Sequence, residues 1–109
     1  MSHPLIPEVQ KLVAANPVMV FMKGTAEFPM CGFSAKACSV LKAAGVEKIA
    51  SFDLLSDDDM WTALEELTEW PTSPQVFIKG QFIGGCDIVG EMYENGELQQ
   101  LLKKLMLKN

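Results

Sequence analysis

Apolar residues along the chain follow helical and strand-like spacings that together predict five helices and four strands. A wholly apolar run over 18–22 is typical of a strand buried on both faces, because such a strand shows no alternation. The other predicted elements are a helix ending at Asn16-Pro17, a helix from 31–34 to Gly45, a strand over 49–54, a helix with a capping-box-like start at 56–59, a hairpin of 76–78 and 81–83, a helix over 86–94, and a last helix.

The order of these elements predicts the fold class. A strand–helix–strand half is followed by a strand–strand–helix half, which gives a small four-stranded mixed sheet flanked by helices. The sequence therefore predicts an α/β fold of the thioredoxin-like type. The last helix has an apolar stripe and lysines near its end: Leu98, Leu101, Leu102, Leu105 and Met106, with Lys103, Lys104 and Lys108.

Length and charge narrow the classes of function. The 109 residues suit one domain over 1–109, and 49% hydrophobic content is typical of a globular protein. A net charge of −5 argues against a nucleic-acid partner, since phosphate binding needs clustered Lys and Arg. No apolar run approaches the roughly 20 residues of a membrane span, and residues 1–4 do not predict a signal peptide.

The cysteine count indicates thiol chemistry. Cys31, Cys38 and Cys86 are too few for a disulfide scaffold, and His3 is the single histidine. A Ser/His or Cys/His catalytic pair is therefore excluded, and a zinc site would need His3 together with all three cysteines. The chemistry predicted for this chain is that of a thiol in an intracellular protein.

Cys31 is the candidate reactive thiol. It follows the apolar strand at the start of a helix, where unpaired N–H groups and the helix dipole stabilise a thiolate, and Lys23 adds a cation. The usual redox motif has a second cysteine three residues on, but Ser34 stands there. Cys38 is about 10.5 Å along the helix, beyond disulfide reach, so Cys31 needs a thiol from elsewhere.

Four motifs occur in order along the chain: Lys23-Gly24-Thr25, Cys31-Gly32-Phe33-Ser34, Trp70-Pro71-Thr72-Ser73-Pro74-Gln75 and Gly84-Gly85-Cys86-Asp87-Ile88. Together they resemble the monothiol glutaredoxins of the CGFS type over roughly residues 18–108. The resemblance implies the glutaredoxin variant of the thioredoxin-like fold. The short chain is more similar to the mitochondrial and bacterial members, which implies a mitochondrial matrix protein, with the cytoplasm as the alternative.

The resemblance also implies a role for each matching residue. Cys31 is expected to be the active thiolate and the protein ligand of a [2Fe–2S] cluster. Pro74 is expected to follow a cis peptide bond, and Lys23 to bind a glutathione carboxylate, the glycyl one. The expected glutathione-binding residues are Lys23, Phe33, Thr72, Ser73, Pro74, Cys86 and Asp87.

Two functions are compatible with this resemblance. In the first, two subunits and two glutathiones supply four thiolates to a [2Fe–2S] cluster, giving a homodimer that reverts to a monomer without cluster. The protein would then deliver clusters to acceptor apoproteins, with a BolA-like protein as a further partner. The alternative is a glutathione-dependent oxidoreductase that acts on protein–glutathione mixed disulfides. A thioredoxin-like interaction module would leave Cys31 unexplained.

Three positions leave alternatives open. Trp61 stands where family members often carry Arg or Gln in the glutathione site, so another low-molecular-weight thiol remains a candidate co-ligand. Cys38 is expected in the core. Cys86 has either a backbone role alone or a reversible disulfide with Cys31, and the acids at 57–59 are expected to start a helix rather than bind metal.

Overall fold

The computed structural model of the protein describes residues 3–106, and its elements follow the predicted order. The helices are α1 (Ile6–Ala15), α2 (Gly32–Ala43), α3 (Asp58–Thr68), α4 (Cys86–Glu94) and α5 (Glu97–Met106). The strands are β1 (Val18–Met22), β2 (Ala50–Asp53), β3 (Gln75–Ile78) and β4 (Gln81–Gly84), and a 3₁₀ turn covers Leu54–Ser56.

The four strands form one mixed sheet in the order β2-β1-β3-β4. β1 pairs in parallel with β2 and antiparallel with β3, and β4 is antiparallel to β3 across the hairpin turn at Lys79-Gly80. This arrangement confirms the predicted α/β architecture of the thioredoxin-like type, a small mixed sheet flanked by helices.

β1 lies at the centre of the fold and is buried on both faces. Val20 and Met22 point to a cluster that includes residues of α2, α4 and α5, whereas Met19 and Phe21 point to a cluster that includes residues of α1 and α3. Successive side chains of a strand alternate between its faces, so a strand between two helical layers must be apolar throughout. The core therefore explains the uninterrupted apolar run of β1.

The boundaries of two elements differ from the prediction. The predicted strand over 49–54 is shorter because Leu54 begins the 3₁₀ turn, where the Asp53 carboxylate accepts the Leu55 N–H at 2.9 Å. Asp57, not Ser56, caps α3: its Oδ1 accepts the N–H groups of Asp59 (3.0 Å) and Met60 (3.2 Å).

The C-terminal helix packs through the predicted stripe. Leu98 and Leu102 are buried against the α2 and α4 side of the core, and Leu101 and Leu105 are partly buried. The side chain of Met106, and Lys108, lie outside the described residues. Within residues 3–106, no helix is both long and apolar enough to cross a membrane.

Candidate functional site

The loop between β1 and α2 is held against strand β2. The Gly24 N–H donates to Asp53 Oδ1 at 2.9 Å, and the Ala26 N–H donates to Ser51 Oγ at 3.0 Å. Gly24 has φ 84°, and a Cβ there would lie 2.5 Å from the carbonyl oxygen of Phe28. The loop therefore has a defined path that brings Lys23 and Cys31 to the same end of the sheet.

Cys31 is the N-cap residue of α2, with extended backbone angles of φ −156° and ψ 141°. The pKa of its thiol is lowered, mainly because the backbone N–H groups of Ser34 and Phe33, at the start of the helix, favour the thiolate. The Lys23 ammonium and the Ser34 hydroxyl lower the pKa further, and partial desolvation opposes them. This is the environment of a reactive thiolate, as the sequence predicts.

Ser34 links the first turn of α2 to the start of the loop that follows β1. Its side chain is buried, and its Oγ accepts the N–H of Lys23 at 3.2 Å. Because this hydroxyl stands where a redox pair would carry its second sulfur, Cys31 has no thiol partner within its own helix turn. The Lys23 Nζ lies 5.7 Å from the centroid of the Trp61 ring.

A groove of about 390 Å³ runs beside the start of α2. Its lining residues come from the first turn of α2, the turn before β3 and the start of α4: Phe33, Trp70, Thr72, Ser73, Pro74, Gly85, Cys86, Asp87 and Ile88. Six of the seven predicted glutathione-binding residues therefore line one surface. The Ser73–Pro74 peptide bond is cis, as predicted.

Gln75 holds the turn that forms one wall of this groove. Its side chain is fully buried, and its Nε2 donates to the carbonyl oxygens of Trp70 (2.9 Å) and Thr72 (3.1 Å). Gly85 faces that turn so closely that a Cβ would lie 3.2 Å from the Pro74 carbonyl oxygen. The turn is thus fixed between the buried amide of Gln75 and a position that has no side chain, Gly85.

The other two cysteines differ from Cys31. Cys38 is buried in the core, where desolvation raises the pKa of its thiol and its Sγ lies 3.7 Å from Met22 Sδ. Desolvation also raises the pKa of the Cys86 thiol, and the Asp87 carboxylate and Cys31 raise it further. The Lys36 ammonium lowers this pKa and so opposes them in part. All three are free thiols, so the Cys31–Cys86 disulfide stays a prediction.

Four large apolar side chains are exposed at the surface, in the loop before Cys31, the first turn of α2 and the turn after β2. Phe28, Met30, Phe33 and Leu55 are between 53% and 76% exposed, and we call them the apolar rim. Three of them lie within three residues of Cys31, and Leu55 follows the Asp53 that holds the loop. A larger cavity of about 650 Å³ lies at the ends of α1 and α2 and along α5, and no predicted site residue lines it.

Sequence reasoning missed the residues that hold the site in place. Ser51 and Asp53 hold the loop through hydrogen bonds, yet neither belongs to a motif of the sequence. Gln75 ends the motif that begins at Trp70, but no role was predicted for it. The signal that could have indicated Gln75 is a polar residue within an apolar strand, since a buried amide must be paired. Among residues 3–106, no three His, Cys, Asp or Glu side chains converge on a metal position.

Together the fold and the site define a class: a thioredoxin-like protein with a cysteine of lowered pKa at the start of α2 and a groove beside a cis-proline turn. The family model described as Glutaredoxin matches residues 18–83, and the chain belongs to the glutaredoxin family. Its relatives include monothiol glutaredoxins.

Two relatives and one solved structure show the extent of the similarity. The chain is 46% identical to Glutaredoxin 4 of Escherichia coli K12, over 94% of this chain and 89% of the relative. It is 40% identical to mitochondrial monothiol glutaredoxin-5 of Schizosaccharomyces pombe, over 89% of this chain and 68% of the relative. Among solved structures, it is similar to a buckwheat glutaredoxin crystallised with glutathione. The two chains are 31% identical and superpose with a TM-score of 0.80, over 92% of this chain and 88% of the buckwheat chain.

Proposed function

We propose that the protein binds a [2Fe–2S] cluster as cargo through Cys31 and passes it to acceptor apoproteins. The observation that carries the proposal is one partly exposed cysteine whose thiolate is favoured by backbone N–H groups, with Ser34 where an internal resolving thiol would stand. Thiolates are the ligands that iron–sulfur clusters prefer. Ser34 cannot form a disulfide with Cys31, so an external thiol can stay beside it.

The second thiol in this proposal is glutathione, bound in the groove. The backbone of Ser73 would pair with its cysteinyl part, and the first turn of α4 would receive the γ-glutamyl carboxylate. The N-cap of α4, Gly85, provides no side-chain cap, so N–H groups there can serve a ligand, and Asp87 can take the γ-glutamyl ammonium. Lys23 would bind the glycyl carboxylate. The buckwheat relative, solved with glutathione, supports this choice.

The stoichiometry follows from the thiolate count. A [2Fe–2S] cluster takes four thiolates, and one chain with one glutathione supplies two. Two chains and two glutathiones complete the set, so the proposal requires a homodimer that exists only while the cluster is bound. The apolar rim offers surface for the second chain, for an acceptor, or for a BolA-like partner.

Anaerobic reconstitution with iron, sulfide and glutathione tests this proposal. Wild-type protein should become a coloured dimer by visible absorption and size-exclusion chromatography, and revert to a colourless monomer when the cluster is removed. Cys31→Ser should stay colourless and monomeric. Cys38→Ala is the matched control because Cys38 lies in the core, and it should retain cluster. A full complement of cluster in Cys31→Ser would contradict the proposal.

The lowered pKa of Cys31 also supports an oxidoreductase as the second candidate. The Cys31 thiolate would attack the glutathione sulfur of a protein–glutathione disulfide, and the protein thiolate would leave and take a proton. The thiolate of a second glutathione would then attack the Cys31–glutathione disulfide, restoring Cys31 and releasing oxidised glutathione. Turnover comparable to that of a dithiol glutaredoxin measured alongside would favour this candidate over cluster transfer.

The compartment and the identity of the small thiol belong to the same proposal. The name of the Schizosaccharomyces pombe relative supports a mitochondrial location, whereas the Escherichia coli relative is bacterial. Repeating the reconstitution with other low-molecular-weight thiols in place of glutathione decides the co-ligand. Colour and dimerisation with another thiol alone would replace glutathione in the proposal.

A further inference from the structure

Lys23 and Trp61 make a contact near Cys31, and neither residue lines the groove. The Lys23 Nζ lies 5.7 Å from the centroid of the Trp61 ring, within the roughly 6 Å at which an ammonium is attracted to an indole face. The contact joins the end of β1 to the first turn of α3. It therefore sets the direction of the one lysine side chain that we place on the thiol ligand.

Both residues of this contact are fixed by packing or by backbone hydrogen bonds. The Trp61 side chain is partly buried and packs against the apolar cluster that includes residues of α1 and α3. The backbone of Lys23 is held on both sides, since its N–H donates to Ser34 Oγ and its carbonyl accepts the Met30 N–H at 2.9 Å. The lysine stem is the remaining mobile part, and it ends above the ring.

The contact holds the ammonium without neutralising it. In the part of the chain that the structure describes, the one ion pair within 4 Å joins Lys11 to Glu8, and no carboxylate pairs with Lys23. A carboxylate partner would compete with an anionic ligand for the same N–H donors, whereas an indole face attracts the cation and accepts none of them. Lys23 is thus positioned and still free to bind an anion.

We propose that Trp61 is a positioning residue that directs the Lys23 ammonium to a terminal carboxylate of the bound thiol, and so makes the site selective for thiols that carry this charge. The inference rests on the proposed function, because it takes Lys23 as a ligand contact. Side chains ordered before binding lose less entropy when the ligand arrives, which favours affinity. The ligand class is a thiol peptide with a free terminal carboxylate.

The test compares glutathione with the same peptide carrying an amide at its glycyl carboxylate, by NMR titration of the whole reduced chain. Trp61→Met should weaken binding of glutathione about two- to five-fold and leave binding of the amide unchanged. Trp61→Phe, which keeps an aromatic face, should retain most of the preference for glutathione. Leu67→Met, a packing change on the same helix, is the matched control and should have no effect.

A double-mutant cycle shows whether Trp61 acts through Lys23. In a Lys23→Met background, Trp61→Met should not weaken glutathione binding further, since the ammonium it positions is gone. Equal loss for glutathione and the amide, or a further loss in that background, would overturn the inference and leave the proposed function intact. Wild-type protein that binds neither thiol would overturn the proposed function, and the inference with it.

A readout without ligand tests the contact itself. Protons held over an indole face shift upfield, so the ε-methylene protons of Lys23 should resonate upfield in the wild type. They should return to ordinary lysine values in Trp61→Met and stay shifted in Leu67→Met. Ordinary values in the wild type would show that the lysine does not lie on the ring and would overturn the inference, whichever thiol binds.

Discussion

At the scale of single residues, the reactivity of Cys31 comes from its position at the start of a helix. Its thiolate is favoured first by the backbone N–H groups of Ser34 and Phe33, and only then by Lys23 and the Ser34 hydroxyl. Cys86 lines the groove beside the start of α2, but burial raises the pKa of its thiol. The pKa values of these two cysteines are therefore shifted in opposite directions, and only that of Cys31 is shifted toward the thiolate.

This difference predicts the pH dependence of alkylation. Because the pKa of Cys31 is lowered and that of Cys86 is raised, iodoacetamide should modify Cys31 at a pH where Cys86 remains protonated. Ser34→Ala should move the Cys31 profile to higher pH, yet keep it below the ordinary value for a thiol, because the backbone donors remain. Mass spectrometry of each cysteine against pH measures both. Alkylation of Cys86 at lower pH than Cys31 would contradict this account.

At the scale of elements, the site depends on the loop between β1 and α2, which crosses the end of β2. Gly24 combines a positive φ with the close approach of Phe28. Gly96 has a similar φ of 86° but open space around its Cβ position. A substitution at Gly96 therefore measures the cost of backbone strain without the cost of crowding.

We therefore expect Gly24→Ala to lower the free energy of unfolding more than Gly96→Ala. The control should lose about 1–2 kcal/mol for placing an alanine in the left-handed region, whereas the loop variant adds overlap with backbone atoms. Urea unfolding of both variants measures the difference. The loop variant should also lose thiolate at a given pH, because Lys23 moves away from Cys31. Equal losses of stability would show that the loop is not tightly packed.

Elements were predictable from sequence because their signals are local. The apolar run of β1 and the leucine stripe of α5 follow from neighbouring positions, and α4 begins and ends as predicted. The hydrogen bond from Gly24 to Asp53 joins residues that are 29 positions apart, so no periodic pattern in the sequence indicates it. The contact between Lys23 and Trp61 likewise depends on how α3 packs against the sheet, so only its two residues, and not their meeting, were visible in the sequence.

At the scale of the whole molecule, the sheet separates two helical layers and brings the site to one end. Cys31, the groove and the apolar rim share that end, while the larger cavity is lined by residues from other ends of the helices and carries no predicted site residue. One surface therefore combines a thiol of lowered pKa, a groove and exposed apolar side chains. The proposed sharing of a cluster between two copies would use all three.

The most direct test of this central claim is native mass spectrometry of the reconstituted protein under anaerobic conditions. The reconstituted protein should give one mass equal to two chains, one [2Fe–2S] cluster and two glutathiones. After the cluster is removed, it should give the mass of a single chain. A cluster carried by one chain, or a dimer that persists without cluster or glutathione, would contradict it.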